Sequence, residues 1–178
     1  MNTLSTKKIV LGGLFLALGL VLPFLTGQIP KIGQMLLPMH LPVLIAGFVL
    51  GSPWGLAIGL LTPVFRSLLF GMPPMFPTAV VMGIELAAYG FFSGLFNKLL
   101  PQKNIFIYIS LILAMVLGRG AWGFASWLLY GLDGTPFTWQ IFSAGAFINA
   151  IPGIVLQIVL IPIIIIGLRK GGLIENGR

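Results

Sequence analysis

Residues 34–89 form an almost wholly apolar stretch that nevertheless holds the chain's only histidine, His40, together with Arg66 and Glu85. Arg119, Trp122 and Asn149 follow in equally apolar surroundings. A guanidinium is a fixed cation with a planar fork of N–H donors suited to carboxylates, a carboxylate accepts only, and an imidazole can do either. An ionisable group inside a hydrocarbon-length segment is costly, so it faces a partner, a water-filled cavity or a ligand.

Two readings stand for each of these residues. Arg66 either snorkels to the membrane surface or reaches a ligand. Glu85 pairs with Arg66 or Arg119, and such a pair can still line a pocket. Arg119, too deep to snorkel, serves structure or ligand. His40 is a helix-end residue bonded locally or a ligand contact. Asn149 is an interhelical anchor or a ligand contact. Trp122 packs the core or stacks on a ring, and Met35, Met39, Met72 and Met75 are adaptable pocket lining or membrane-resting apolars.

The catalytic alternatives lack their residues. With Cys 0 there is no disulfide, thiolate metal site or cysteine nucleophile. Neither G-x-x-x-x-G-K-[ST] nor H-E-x-x-H occurs, and no span holds a carboxylate pair. The expectation is a protein that is not an enzyme and uses no cofactor or metal.

Hydrophobic residues make up 58% of the 178 residues and charged ones 7%, against about 25% charged in soluble domains. Such a chain cannot cover a water-facing surface, and the reading is an all-α integral membrane protein. Spans of about 20 residues allow roughly six helices, placed at 9–25, 40–50, 54–70, 77–97, 105–130 and 137–168, with bends at Pro63, Pro152 and Pro162 and a loop over 26–37. The first is read as a retained helix rather than a signal peptide, and residues 1–178 as one six-helix domain.

The net charge of +7 then reads as topology rather than nucleic-acid binding. With six crossings, Lys7, Lys8, Lys98, Lys103, Arg169, Lys170 and Arg178 share one side, opposite Lys31 and Asp133. Basic loops face the cytoplasm, which puts both termini there. His40, Arg66, Glu85, Arg119 and Asn149 then fall in the outer half or midplane. They outline a pocket open to the outside, with 27–38 and 71–77 as lids.

Helix 1 carries Gly13-x-x-x-Ala17, a small-residue spacing that admits a close helix neighbour, inside or outside the bundle. With the six spans and the P-V-L-I-A-G-F-V-L-G-S-P-W-G-L-A-I-G block from Pro42, the chain resembles the substrate-binding (S) subunits of energy-coupling factor (ECF) transporters. The resemblance implies high-affinity capture of a vitamin or precursor in the outer half. It also implies docking through Gly13 and Ala17, where a Gly replaces the family's first Ala, onto a transmembrane coupling subunit driven by two ATPase subunits. The implied setting is the plasma membrane of a bacterium. M-L-L-P-M-H-L-P-V-L and G-M-P-P-M-F-P look closest to the branch that includes pantothenate. His40, Arg66, Glu85, Arg119, Trp122 and Asn149 are the expected substrate contacts. A self-sufficient small-solute carrier or channel is the competing function.

Overall fold

A chain in hydrocarbon must satisfy its backbone polar groups internally, and this one does so with helices. The computed structural model describes residues 3–26, 29–132, 134 and 136–174, with no strand among them. Gly27, placed above in a lid, and Arg178 and Asp133, assigned above to opposite sides, lie outside the described residues. The helices are α1 (Thr3–Val21), α2 (Pro30–Leu36), α3 (His40–Leu50), α4 (Ser52–Phe70), α5 (Val80–Leu99), α6 (Asn104–Leu132), α7 (Trp139–Ser143) and α8 (Ile151–Lys170). Together with adjoining turns they make six segments long and apolar enough to cross a membrane.

Two expectations from the sequence are corrected. Residues 26–37 are not a plain loop: a tight turn over Leu22–Thr26 closes α1, and α2 follows. With α3, α2 makes one broken span, Lys31–Leu50. The break falls at Leu37, whose left-handed φ of 51° ends α2, and at Pro38. The last span is likewise interrupted rather than bent at Pro152. α7 runs into a wide turn, Ala144–Ile148, and α8 restarts at Ile151 with Pro152 in its first turn, where a missing N–H costs nothing. Pro63 and Pro162, by contrast, lie inside continuous helices.

α5 is the central element, packed against α3, α4 and α6. Its contact with α4 is backbone on backbone. A Cβ on Gly55 would collide with the carbonyl oxygen of Gly90, and one on Gly90 with that of Gly55. Gly59 lies equally close to the Leu86 carbonyl, and Gly94 to the Ser52 amide. Gly55 and Gly59, like Gly90 and Gly94, are four apart and share a helix face, the small-xxx-small arrangement that lets membrane helices approach closely.

α1 lies against α3 and α4. Gly12 meets the Trp54 ring and Gly19 the Thr62 side chain, whereas Gly13 has nothing within 4 Å of its Cβ position. Ala17 is exposed on the same outer face as Gly13. The apolar core, including Leu44, Phe48, Leu86, Leu111 and Ile161, fills the half of the bundle holding the ends of α3, α5 and α8 and the start of α6. Beyond it Arg169 donates to Asn97 Oδ1 at 2.6 Å, and Asn97 donates to the Phe48 carbonyl at 3.2 Å.

The glycine contact makes a direct prediction. Gly90→Ala loses about 1–3 kcal/mol of stability through overpacking, read as an earlier thermal transition in detergent. Gly13→Ala, facing open space, stays within about 0.5 kcal/mol of the unmutated chain.

Candidate functional site

Where α2, the 72–74 turn and α7 meet the ends of α1, α4, α5 and α6, the bundle opens into a cavity of about 660 Å³. Its lining includes all six side chains singled out from the sequence: His40, Arg66, Glu85, Arg119, Trp122 and Asn149. Both segments expected as lids contribute, the first through Ile29, Gly33, Gln34, Leu37 and Pro38 and the second through Met72, Pro73 and Pro74. Of the four methionines expected to line a pocket, Met39 and Met72 do so.

The floor is an ionic cluster. Arg119 Nη1 donates to Glu85 Oε1 at 2.8 Å, with both side chains almost fully buried. His40 Nε2 stands 3.3 Å from the same oxygen, at an angle that makes no hydrogen bond, so the imidazole keeps both nitrogens without a partner among the described residues. Its ring meets Tyr89 edge-on, with centroids 5.1 Å apart. Tyr89 thus lies under the cluster, and its face also lies 6.0 Å from the Arg119 guanidinium.

The broken second span explains why His40 is here. It is the first residue of α3, but α2 precedes it in the same span. It is therefore 2% exposed inside the bundle rather than a helix-end residue at the surface. Arg119 Nε and Nη2 are also buried without hydrogen-bond partners among the described residues.

Arg66 holds a different place. Pro23 in the turn after α1 helps end that helix, and the last carbonyls of a helix lack partners within it. Arg66 Nη1 donates to one of them, Leu20 O, at 2.5 Å. Its guanidinium lies over the rings of Phe24 and Phe70, at 5.0 and 5.5 Å from their centroids. Arg66 is 4% exposed, so it is buried rather than snorkelling. No carboxylate among the described residues pairs with it.

Trp122 stacks on Phe142 and meets Phe137 edge-on, at 5.9 and 5.6 Å, which sets a flat apolar wall over the floor. Gly145 admits that indole, since a Cβ there would approach its ring to 2.8 Å. Asn149, in the interruption before α8, is exposed toward the cavity.

The structure adds lining residues that reading the sequence missed. Thr78 and Tyr130, whose hydroxyls are 3.3 Å apart, bridge the start of α5 and the end of α6. Met82 also lines the cavity. A helical signal was present. Thr78, Met82, Glu85 and Tyr89 recur at spacings of three and four, as do Arg119, Trp122, Ser126 and Tyr130, so each set shares one helix face.

The arrangement suits binding. It has an apolar wall, few convergent polar groups and a pre-formed concave shape. No cluster of metal-ligating residues occurs among the described residues. The family model described as the substrate-specific component of the ECF transporter matches residues 7–174. No curated protein and no solved structure matches the chain.

The ion pair carries its own test. Removing one partner strands a buried charge, so Glu85→Ala or Arg119→Ala costs about 3–5 kcal/mol, whereas the double variant Glu85→Leu/Arg119→Met recovers most of the loss. Thermal unfolding of the three variants in one detergent measures this.

Proposed function

The chain belongs to the family of ECF transporter substrate-specific components, and on that premise we propose that it captures a vitamin or vitamin precursor, pantothenate being the leading candidate, from outside a bacterial cell. Members of this family bind small-molecule substrates and work with a membrane coupling subunit and ATPases. The observation that carries the reading is a cavity of about 660 Å³ on which His40, Arg66, Glu85, Arg119, Trp122 and Asn149 converge. It is large enough for a compact organic solute, since such sites run from about 300 to 1,000 Å³.

The orientation follows from charge. Lys7, Lys8, Lys98, Lys103, Arg169 and Lys170 lie at the end away from the cavity, where Lys7 reaches the Leu173 carbonyl at 3.5 Å. Basic residues mark the cytoplasmic side, so the cavity opens outward in the plasma membrane, and one six-helix unit does the binding.

Gly13 and Ala17 form the docking surface for the coupling subunit. What supports this is their outward position on α1, with open space at Gly13. The self-sufficient carrier or channel is disfavoured by the packed apolar core and the Arg169–Asn97–Phe48 hydrogen bonds at the inner end.

Two experiments test the proposal. The purified chain is heated with each B vitamin and its precursors. A ligand at a hundredfold excess over Kd stabilises the folded state by about 2.7 kcal/mol, so one compound should raise the transition sharply. A flat response from demonstrably folded protein sinks the binding reading. The second uses Gly13→Leu/Ala17→Leu, which keeps ligand-induced stabilisation but loses uptake when the coupling subunit and ATPases are co-expressed. Uptake at the unmutated rate overturns the docking assignment, and flux into liposomes containing this chain alone favours the carrier.

A further inference from the structure

The cavity's charges are unequal, and their inequality specifies a ligand. Among the described residues, its charged lining residues are Arg66, Glu85 and Arg119. Glu85 and Arg119 are paired at 2.8 Å and cancel. Arg66 has a neutral carbonyl, Leu20 O, and the faces of Phe24 and Phe70. These contacts orient a guanidinium without neutralising it. No carboxylate among the described residues pairs with it, and a buried cation without a counter-charge is a costly state that an anionic group relieves.

The floor asks for something else. Arg119 Nε and Nη2 and both ring nitrogens of His40 are buried with no hydrogen-bond partner among the described residues. A neutral imidazole offers one donor and one acceptor, so the floor presents donors and an acceptor side by side. An anion there would meet the Glu85 carboxylate, and like charge is the repulsive element that enforces specificity. The two regions are well separated. Gly59 on α4 meets the backbone of Leu86, next to Glu85, and Arg66 lies seven positions further along α4, or roughly 10 Å of rise toward the mouth. Arg66 is about one turn from the end of α4 at the mouth.

Resting on the reading of this chain as a binding subunit, we propose that the site takes a monocarboxylate in one orientation, its carboxylate outward on Arg66 and a neutral hydrogen-bonding group inward on Arg119 and His40. Arg66 is the specificity-determining cation, and the Glu85–Arg119 pair excludes a second anionic group from the floor. Compounds whose only charge is positive, and dianions with charges at both ends, are rejected.

Matched pairs differing only at the carboxylate test this on the unmutated chain: nicotinate against nicotinamide, pantothenate against pantothenol, and biotin against its amide. Thermal shift finds the pair that binds and calorimetry measures it. The acid should bind about ten- to a hundredfold more tightly than its neutral partner, as a charge-assisted hydrogen bond is worth. Arg66→Gln should reduce the acid to the level of the amide, and Arg66→Lys should keep part of the preference. Equal binding of acid and amide overturns the inference, as does tight binding of a cationic or neutral vitamin; both leave the binding-subunit reading standing. A flat response to every compound sinks both. Where Arg66→Gln fails to fold, having lost its bond to Leu20, the acid–amide ratio on the unmutated chain decides alone.

Discussion

Removing a carboxylate from water into the interior of an apolar bundle is so unfavourable that it must be offset where it occurs, and Glu85 meets that constraint through Arg119 at 2.8 Å. The pair joins α5 to α6, which bring Met82, Glu85, Arg119, Trp122 and Tyr130 to the cavity wall. It brings His40 within 3.3 Å, and therefore fixes where α3 begins relative to α5. Tyr89, one turn further along α5, closes the floor beneath the imidazole and the guanidinium. The chemistry of the cavity and the packing of its three central helices thus rest on one interaction.

That interaction requires α5 to stay in place, and glycine provides this. Water supplies no hydrophobic drive between helices in a bilayer, so close van der Waals contact has to hold them. Gly55 and Gly90 bring α4 and α5 to backbone contact, leaving another face of α5 to carry Met82 and Glu85 into the cavity. One half of the bundle is closed by large apolar side chains and the other is held open by interrupted helices. The breaks at Leu37–Pro38, at Pro73–Pro74 and before Ile151 all fall on the cavity side. Proline and wide turns there remove regular helix where a continuous one would fill the space.

The two arginines show how environment divides identical groups. Arg119 is paired with Glu85 and stands beside His40 at the cavity floor. Arg66, tied to the last turn of α1 and flanked by two phenylalanines, has no carboxylate partner among the described residues. Its bond to Leu20 also links the mouth of the cavity to α1, the helix whose outer face carries Gly13 and Ala17. On the proposed function, a ligand on Arg66 and a partner on α1 would be linked through the same helix.

The sequence by itself determined the membrane class, the helical architecture and the six spans, because hydropathy and a rise of about 1.5 Å per residue are one-dimensional quantities. Depth sufficed to group His40, Arg66, Glu85, Arg119, Trp122 and Asn149. Only the tertiary structure decided which arginine Glu85 takes, that Gly12 and Gly19 face inward while Gly13 and Ala17 face out, and that Trp122 lies over the floor. These depend on the rotation of each helix about its axis and on how helices cross, which packing against the other helices sets. The seven residues of α2 were hidden for a related reason. Alone, so short a helix bearing Pro30 and Gly33 is unstable, and it forms against α8, where Gly153 lets the backbone at Met35 and Leu36 approach.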